Sequence, residues 1–356
     1  MKTYYFQTLK EFQENFLTKE GTFLLLVAEE CDFSYTQLQE SSLQCYGAIF
    51  PEIIYGKNHY KTGLIVVELA TKPLCIENIG DTHKIQQYKQ ELEEKTSLFV
   101  AIDGLSDSID SFLFSLFEVI NEECLLFGGG AGKMTLQQEN VIFTPDGIYK
   151  DAALLVDLKS KISLGVKHGW EQLKGPFVAT SSRKNILDKI DYNNAFDTYR
   201  EVVENDSGVK FTKDNFFELS KSYPLGIITL DNEVIVRDPI MMHDGSLVLV
   251  GAMPQNSVIS ILKGKKENLL LAAKDAAQVA LAEQKSPDLI FMVDCISRVL
   301  YLEDAFDEEI ASVKKITGDR PLLGVLSLGE IANSSKNYID FYNKTCVVGA
   351  LCFFNS

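Results

Sequence analysis

Asp294-Cys295-Ile296-Ser297-Arg298 follows the apolar run Leu289 to Val293, so a thiol and a guanidinium stand where a buried strand gives out. In α/β architectures binding and reactive groups gather at such strand ends, and a nearby cation lowers a thiol's pKa toward the nucleophilic thiolate. Cys295 is therefore the candidate nucleophile, with His168 as the base that the fold would have to bring in, because no histidine is close in sequence. Binding is the competing reading: Arg298 pairs with a ligand carboxylate, while Glu330, within Gly324 to Ile331, takes an amine. Inert packing is the third reading for Cys295.

Phe127-Gly128-Gly129-Gly130-Ala131-Gly132-Lys133-Met134 resembles a phosphate loop in composition but not in spacing. Phe127 occupies the place of the first glycine and Met134 that of the magnesium-binding hydroxyl. Gly129 and Gly130 fit better in a segment where backbone must approach backbone or a small ligand. Lys167-His168-Gly169-Trp170 holds the single tryptophan. His168 there is either a hydrogen-bonded structural residue beside a packed indole or a ligand group. Arg237, in Val236-Arg237-Asp238-Pro239 ahead of the turn Asp244-Gly245-Ser246, reads first as a tie within a turn and second as a ligand contact.

The four histidines (His59, His83, His168, His243) lie far apart, and no CxxC, HxxxH or HExxH spacing occurs, so no metal and no cofactor is expected. Seven cysteines, odd in number and scattered through apolar runs, suit reduced thiols better than disulfides.

Short runs rich in Val, Ile, Leu and Phe supply the scaffold: Thr22 to Val27, Leu64 to Val67, Leu98 to Ile102 and Ala153 to Val156 predict buried strands. Ser108 predicts the N-cap of a helix ending near Cys124, with Phe112, Leu113, Leu116, Phe117 and Ile120 on its inner face. Farther on come a helix over Glu267 to Ala282, a strand over Leu289 to Val293, a helix over Glu303 to Val313 and a strand over Leu322 to Leu326. The fold class is α/β (α+β): two domains of mixed β-sheets flanked by helices. The polar stretch Asp188 to Tyr223, with the loop signal Asn205-Asp206-Ser207-Gly208, sets the boundary, giving domains 1–210 and 211–356. Gly47 to Ile53 and Lys61-Thr62 in the first half echo Gly324 to Ile331 and Lys344-Thr345 in the second. Pseudo-symmetry between the halves would give Glu52 and Glu330 similar places.

A hydrophobic content of 46% with 24% charged residues is the balance of a chain of 356 residues that folds around a full core. The net charge of -16, with Lys263-Gly264-Lys265-Lys266 as the densest basic stretch, argues against nucleic acid and anionic membrane surfaces as partners. No apolar stretch reaches the ~18 residues of a membrane span, and the N-terminus lacks a signal-peptide core, so no membrane insertion and a cytoplasmic location are expected.

Taken in order, Phe127 to Gly132, Asp151 to Val156, Lys167 to Trp170, Tyr223 to Ile227, Arg237-Asp238-Pro239, Gly245 to Leu249, Cys295 to Arg298, Gly324 to Ile331 and Asn343-Lys344-Thr345 resemble the FIST family. Their order is similar to a FIST N-terminal domain followed by its C-terminal partner over nearly the whole chain. The resemblance implies a sensory module of signal transduction that binds a small molecule such as an amino acid and passes the signal to a protein partner. With no output domain in view, a stand-alone sensor is expected rather than an enzyme. It adds Asn343 to the binding set; where the family pattern often carries His before this Asn, the chain has Tyr342. The expected site gathers Cys295, Arg298, Glu330, Asn343, Gly129, Gly130, His168 and Arg237 around one cavity. The alternatives are a thiol-dependent enzyme using Cys295, and a protein-interaction scaffold with an exposed apolar patch.

Overall fold

The structure, a computed structural model, describes residues 1–16, 19–41, 43–212, 214–229, 233–333 and 338–354. Its organising unit is one motif used three times. In the first copy the strand Thr22–Ala28 runs parallel to Gln44–Phe50 and antiparallel to Leu64–Leu69, with Thr3–Phe6 at the edge. In the second, Ser97–Asp103 lies between parallel Leu125–Ala131 and antiparallel Ala152–Asp157, with Leu74–Glu77 at the edge. In the third, Leu289–Cys295 lies between parallel Leu322–Ser327 and antiparallel Cys346–Phe353, with Ser160–Lys167 at the edge. Central strands buried on both faces are why these segments read as unbroken apolar runs.

Each repeat lends a strand pair to another repeat's sheet. Glu52–Tyr55 and Asn58–Tyr60 of the first join the third through Leu322–Ser327. Glu330–Ala332 and Asp340–Tyr342 of the third join the second through Leu125–Ala131. Ile142–Thr144 and Gly147–Tyr149 of the second join the first through Gln44–Phe50, which closes the cycle. The three sheets turn their inner faces to a common core, where Phe99, Phe127 and Phe291 meet with ring centroids 4.8–5.7 Å apart.

Three glycines mark the repeat. Gly47, Gly128 and Gly324 stand opposite Leu25, Val100 and Met292 on the parallel neighbour. A Cβ on any of them would lie 2.1, 1.9 or 2.0 Å from that neighbour's carbonyl oxygen. Helices cover the outer faces. Lys266–Glu283 buries Ala272, Ala273, Ala276, Ala277 and Ala280, and these small side chains let it lie close to Ser160–Lys167. The approach is tight enough that a Cβ on Gly165 would fall 1.9 Å from the Ala276 carbonyl oxygen.

The third repeat carries an insertion. Between Ser160–Lys167 and Lys266–Glu283 the chain builds a barrel from Glu171–Arg183, Ile186–Ile190, Leu225–Ile228, Val234–His243, Ser246–Val250 and Val258–Lys263, closed by pairing of the first two strands. Its own core includes Leu187, Ile190, Tyr199, Leu225 and Ile259. The entering and leaving segments meet where Gly264 leaves room for Trp170: a Cβ there would sit 2.4 Å from the indole.

The mixed α/β class holds, and the internal repetition is threefold, with the echo between the two halves as one of its relations. Residues expected as separate domains 1–210 and 211–356 share sheets, since Ser160–Lys167 pairs with Cys346–Phe353 and Glu52–Tyr55 with Leu322–Ser327. Glu52 and Glu330 are one residue out of step. Glu52 faces Leu326, two beyond Gly324, whereas Glu330 faces Gly129, one beyond Gly128. With a side-chain period of two, that offset turns them to opposite faces. The helix after Ser108 spans Ile109–Phe117 and stops short of Cys124, and Ser108 makes no side-chain cap bond. The Asn205–Gly208 signal falls at a break between two helices, with its first three residues in the last turn of Ala195–Ser207, Gly208 capping that helix at φ 72°, and the helix Phe216–Ser220 following.

Candidate functional site

Asp294 and Cys295 are consecutive in a strand and therefore point to opposite faces of its sheet. On the inner side Cys295 meets Glu330, the first residue of the segment that crosses to the second repeat's sheet. Ser327 Oγ donates to Glu330 Oε1 at 2.8 Å, and the Thr345 N–H donates to Oε2 at 3.1 Å. Gly129 lies opposite Glu330, and a Cβ there would come within 2.7 Å of the Ser327 side chain. Gly130 donates its N–H to the Gly329 carbonyl at 2.8 Å. Of the residues expected around one cavity, the structure brings Cys295, Glu330, Gly129 and Gly130 together, in a buried cluster rather than in a cavity wall. Burial pushes the Glu330 carboxyl up to about 8, against the opposing hydrogen bonds from Ser327, Thr345 and Cys295. Burial likewise drives the Cys295 thiol well above its ordinary value, outweighing the N–H groups of Lys344 and Ser297. Such a thiol stays protonated and is a poor nucleophile.

On the outer side Asp294 faces Arg298, which has no solvent exposure. Its Nε lies 3.1 Å from Asp294 Oδ1 and 2.9 Å from Glu309 Oε1. Nη1 donates to the carbonyls of His168 and Lys344, and Nη2 to Glu309 and the Leu269 carbonyl. Burial opposes the charge, but Glu309 and Asp294 outweigh it and raise the guanidinium's pKa. Ligand-type atoms of Asp294, Glu309 and Cys346 lie within 4.8 Å of one another, and Arg298 supplies the positive charge beside them. Arg298 and Glu330 therefore serve opposite faces of one sheet, and neither lines any of the five cavities described.

The segment Asn343-Lys344-Thr345 joins these parts. Lys344, at φ 53° and without exposure, reaches the barrel, with Nζ 3.1 Å from Asp238 Oδ2 and donating to the Lys221 carbonyl at 3.1 Å. Its ammonium lies 5.1 Å from the Trp170 ring centroid, and the indole N–H donates to the Lys344 carbonyl at 3.0 Å. Ser297 Oγ also donates to Asp238 Oδ2, at 2.9 Å. Asn343 is buried, and neither side-chain amide atom has a hydrogen-bond partner among the described residues. Arg237 is buried too, giving Nε to the Ala252 carbonyl and Nη1 to those of Val236 and Phe341. It ties the barrel to the strand Asp340–Tyr342, a long-range contact rather than the tie within a turn that was expected. Lys344 and Asp238 were not singled out as site residues. The signal for them was a charge set between apolar runs.

The largest cavity described holds about 570 Å³ at the seam between the repeats and the barrel. Val166 to Glu171 form one wall, the helix residues Asn268, Ala272 and Asp275 another, Glu233 and Val234 a third, and Tyr342 and Thr345 the floor. Of the expected residues it receives His168. The Trp170 N–H donates to His168 Nδ1 at 2.9 Å, so the ring proton sits on Nε2. Burial, reinforced by Arg298 and Lys167, holds this imidazole down at about 4, hence neutral. Thr345 connects the cavity to the buried cluster, because it lines the first and hydrogen-bonds Glu330 in the second.

No curated protein matches the chain. A family model described as the FIST N domain matches residues 30–193, and one described as the FIST C domain matches residues 195–333. FIST domains are associated with signal transduction and small-ligand sensing. The second match begins inside the barrel and runs through Cys295, Arg298 and Glu330, and the first contains Gly129, Gly130 and His168. Together the two account for nearly all of the repeats and the barrel, and the chain belongs to the FIST family.

Proposed function

We propose that this chain is a cytoplasmic sensor that binds a small polar metabolite, with amino acids as the expected class, in the 570 Å³ cavity beside His168. The observation that carries the reading is the state of that imidazole: neutral, with Nδ1 already engaged, it keeps an Nε2–H donor in the cavity wall. Together with Lys167 it suits a carboxylate, while Glu233 and Asp275 suit an ammonium group, and the Trp170 wall gives apolar contact. Arg298 and Glu330 serve this site from behind. Arg298 holds the His168 carbonyl, and Glu330 holds the Thr345 N–H, one residue beyond Lys344. Lys344 then connects the ligand to the barrel and so to a signalling partner.

Thermal-shift screening of the protein amino acids tests this. A ligand at 100 times its Kd adds about 2.7 kcal/mol of stability. The H168A variant should lose the shift while keeping its own transition. A screen in which no amino acid moves the melting point, or in which H168A responds like the parent, would sink the reading.

A further inference from the structure

His59 stands on the strand pair that the first repeat lends to the third, opposite Ile54. Its Nδ1 makes a short hydrogen bond to Glu52 Oε2 on the same pair. Its Nε2 lies 3.5 Å from Asp307 Oδ1 on the helix Phe306–Thr317, and the Phe306 ring meets the imidazole edge-on at 5.2 Å. The ring thus bridges a segment of the first repeat and a helix of the third. Beside it lies a cavity of about 360 Å³, bounded by Glu52 and His59 on one side and by Ile296, Glu303 and Asp307 on the other.

We propose that His59 is a proton-operated clasp between the lent strand pair and the helix Phe306–Thr317. The charged groups around it are Glu52 and Lys61 on its own segment, Glu303, Asp304 and Asp307 ahead of and within the helix, and Glu29 and Glu30 across the cavity. The bond to Glu52 is the largest influence and raises the imidazole's pKa above 6.5; Asp307 adds to it, while burial and Lys61 oppose. In the imidazolium both ring nitrogens carry protons, so Nδ1–H serves Glu52 and Nε2–H serves Asp307. Loss of one proton leaves Nδ1–H on Glu52 and turns the Nε2 lone pair toward the Asp307 carboxylate. The arm to the helix is lost and the arm within the strand pair remains.

The sign follows from linkage. A histidine whose pKa is raised in the folded state contributes fully below the unfolded value and loses its contribution as pH rises through the folded one. The helix Phe306–Thr317 is therefore held more firmly in mild acid than in mild base. Asp307 is 74% exposed, so its arm is weak and screened, as suits a reversible contact.

NMR titration of the His59 imidazole, combined with amide hydrogen exchange across helix 306–317, tests the clasp on the full chain. His59 should titrate above 6.5. D307N, a change at an exposed side chain, should lower that midpoint by about half a unit. Exchange in the helix, corrected for intrinsic rates and referenced to strand 289–295, should rise about two- to fivefold as pH passes the midpoint. That step should be absent in D307N and in H59Q. A wild-type midpoint at or below 6.5, or an equal rise in D307N, would overturn the proposal.

Discussion

Lys344 of the third repeat and Asp238 of the inserted barrel form an ion pair in which neither side chain is more than 1% exposed, Nζ to Oδ2 3.1 Å. The barrel is thus joined to the repeats through a charge from each side. Removing one partner strands the other in a low-dielectric site. K344M and D238N should each cost about 3–5 kcal/mol in urea unfolding. The double variant should cost less than the sum of the two, because no uncompensated charge remains. Additive losses would show that the pair is not coupled.

Glu330 gives a pH signature. Its carboxyl ionises at about 8 in the fold, against 4.5 for a free side chain. A raised acid stabilises fully below the unfolded value, and that contribution is lost as pH climbs through the folded one. The melting point should therefore fall between about pH 5 and 8 more steeply in the parent than in E330Q. The glutamine can still accept from Thr345 and donate to Ser327. Parallel curves for the two proteins would contradict the assignment.

Cys295 should behave as packing. Buried beside Glu330, with its thiol held well above the ordinary range, it should stay unlabelled by iodoacetamide in the native protein up to about pH 9 and react only after unfolding. Mass spectrometry of the Cys295 peptide provides the readout. Rapid native labelling near pH 7 would instead favour thiol chemistry.

The repeat glycines should be intolerant of any side chain. G128A would put a methyl group 1.9 Å from the Val100 carbonyl and break a central parallel pairing, so soluble yield should collapse. G56A meets nothing within 4 Å and should cost only the strain of its φ of 69°, about 1–2 kcal/mol. Similar yields for the two variants would remove the steric account.

Apolar patterning alone determined the existence of most elements that position the site. Leu289 to Val293, Leu322 to Leu326 and the helix after Glu267 were legible because burial on two faces or on one stripe leaves a local periodic record. The position of Cys295 at the end of a buried strand was legible for the same reason. Tertiary structure alone decided the rest. The exchange of strand pairs among three repeats depends on pairings as distant as Gly129 with Glu330, which leave no local period. That Arg298 and Glu330 occupy opposite faces follows from the alternation of Asp294 and Cys295 within a sheet whose neighbours come from elsewhere in the chain. The union of Lys344 with Asp238 likewise arises only when the barrel closes against the repeats, because the energy of a buried charge is set by its surroundings in space.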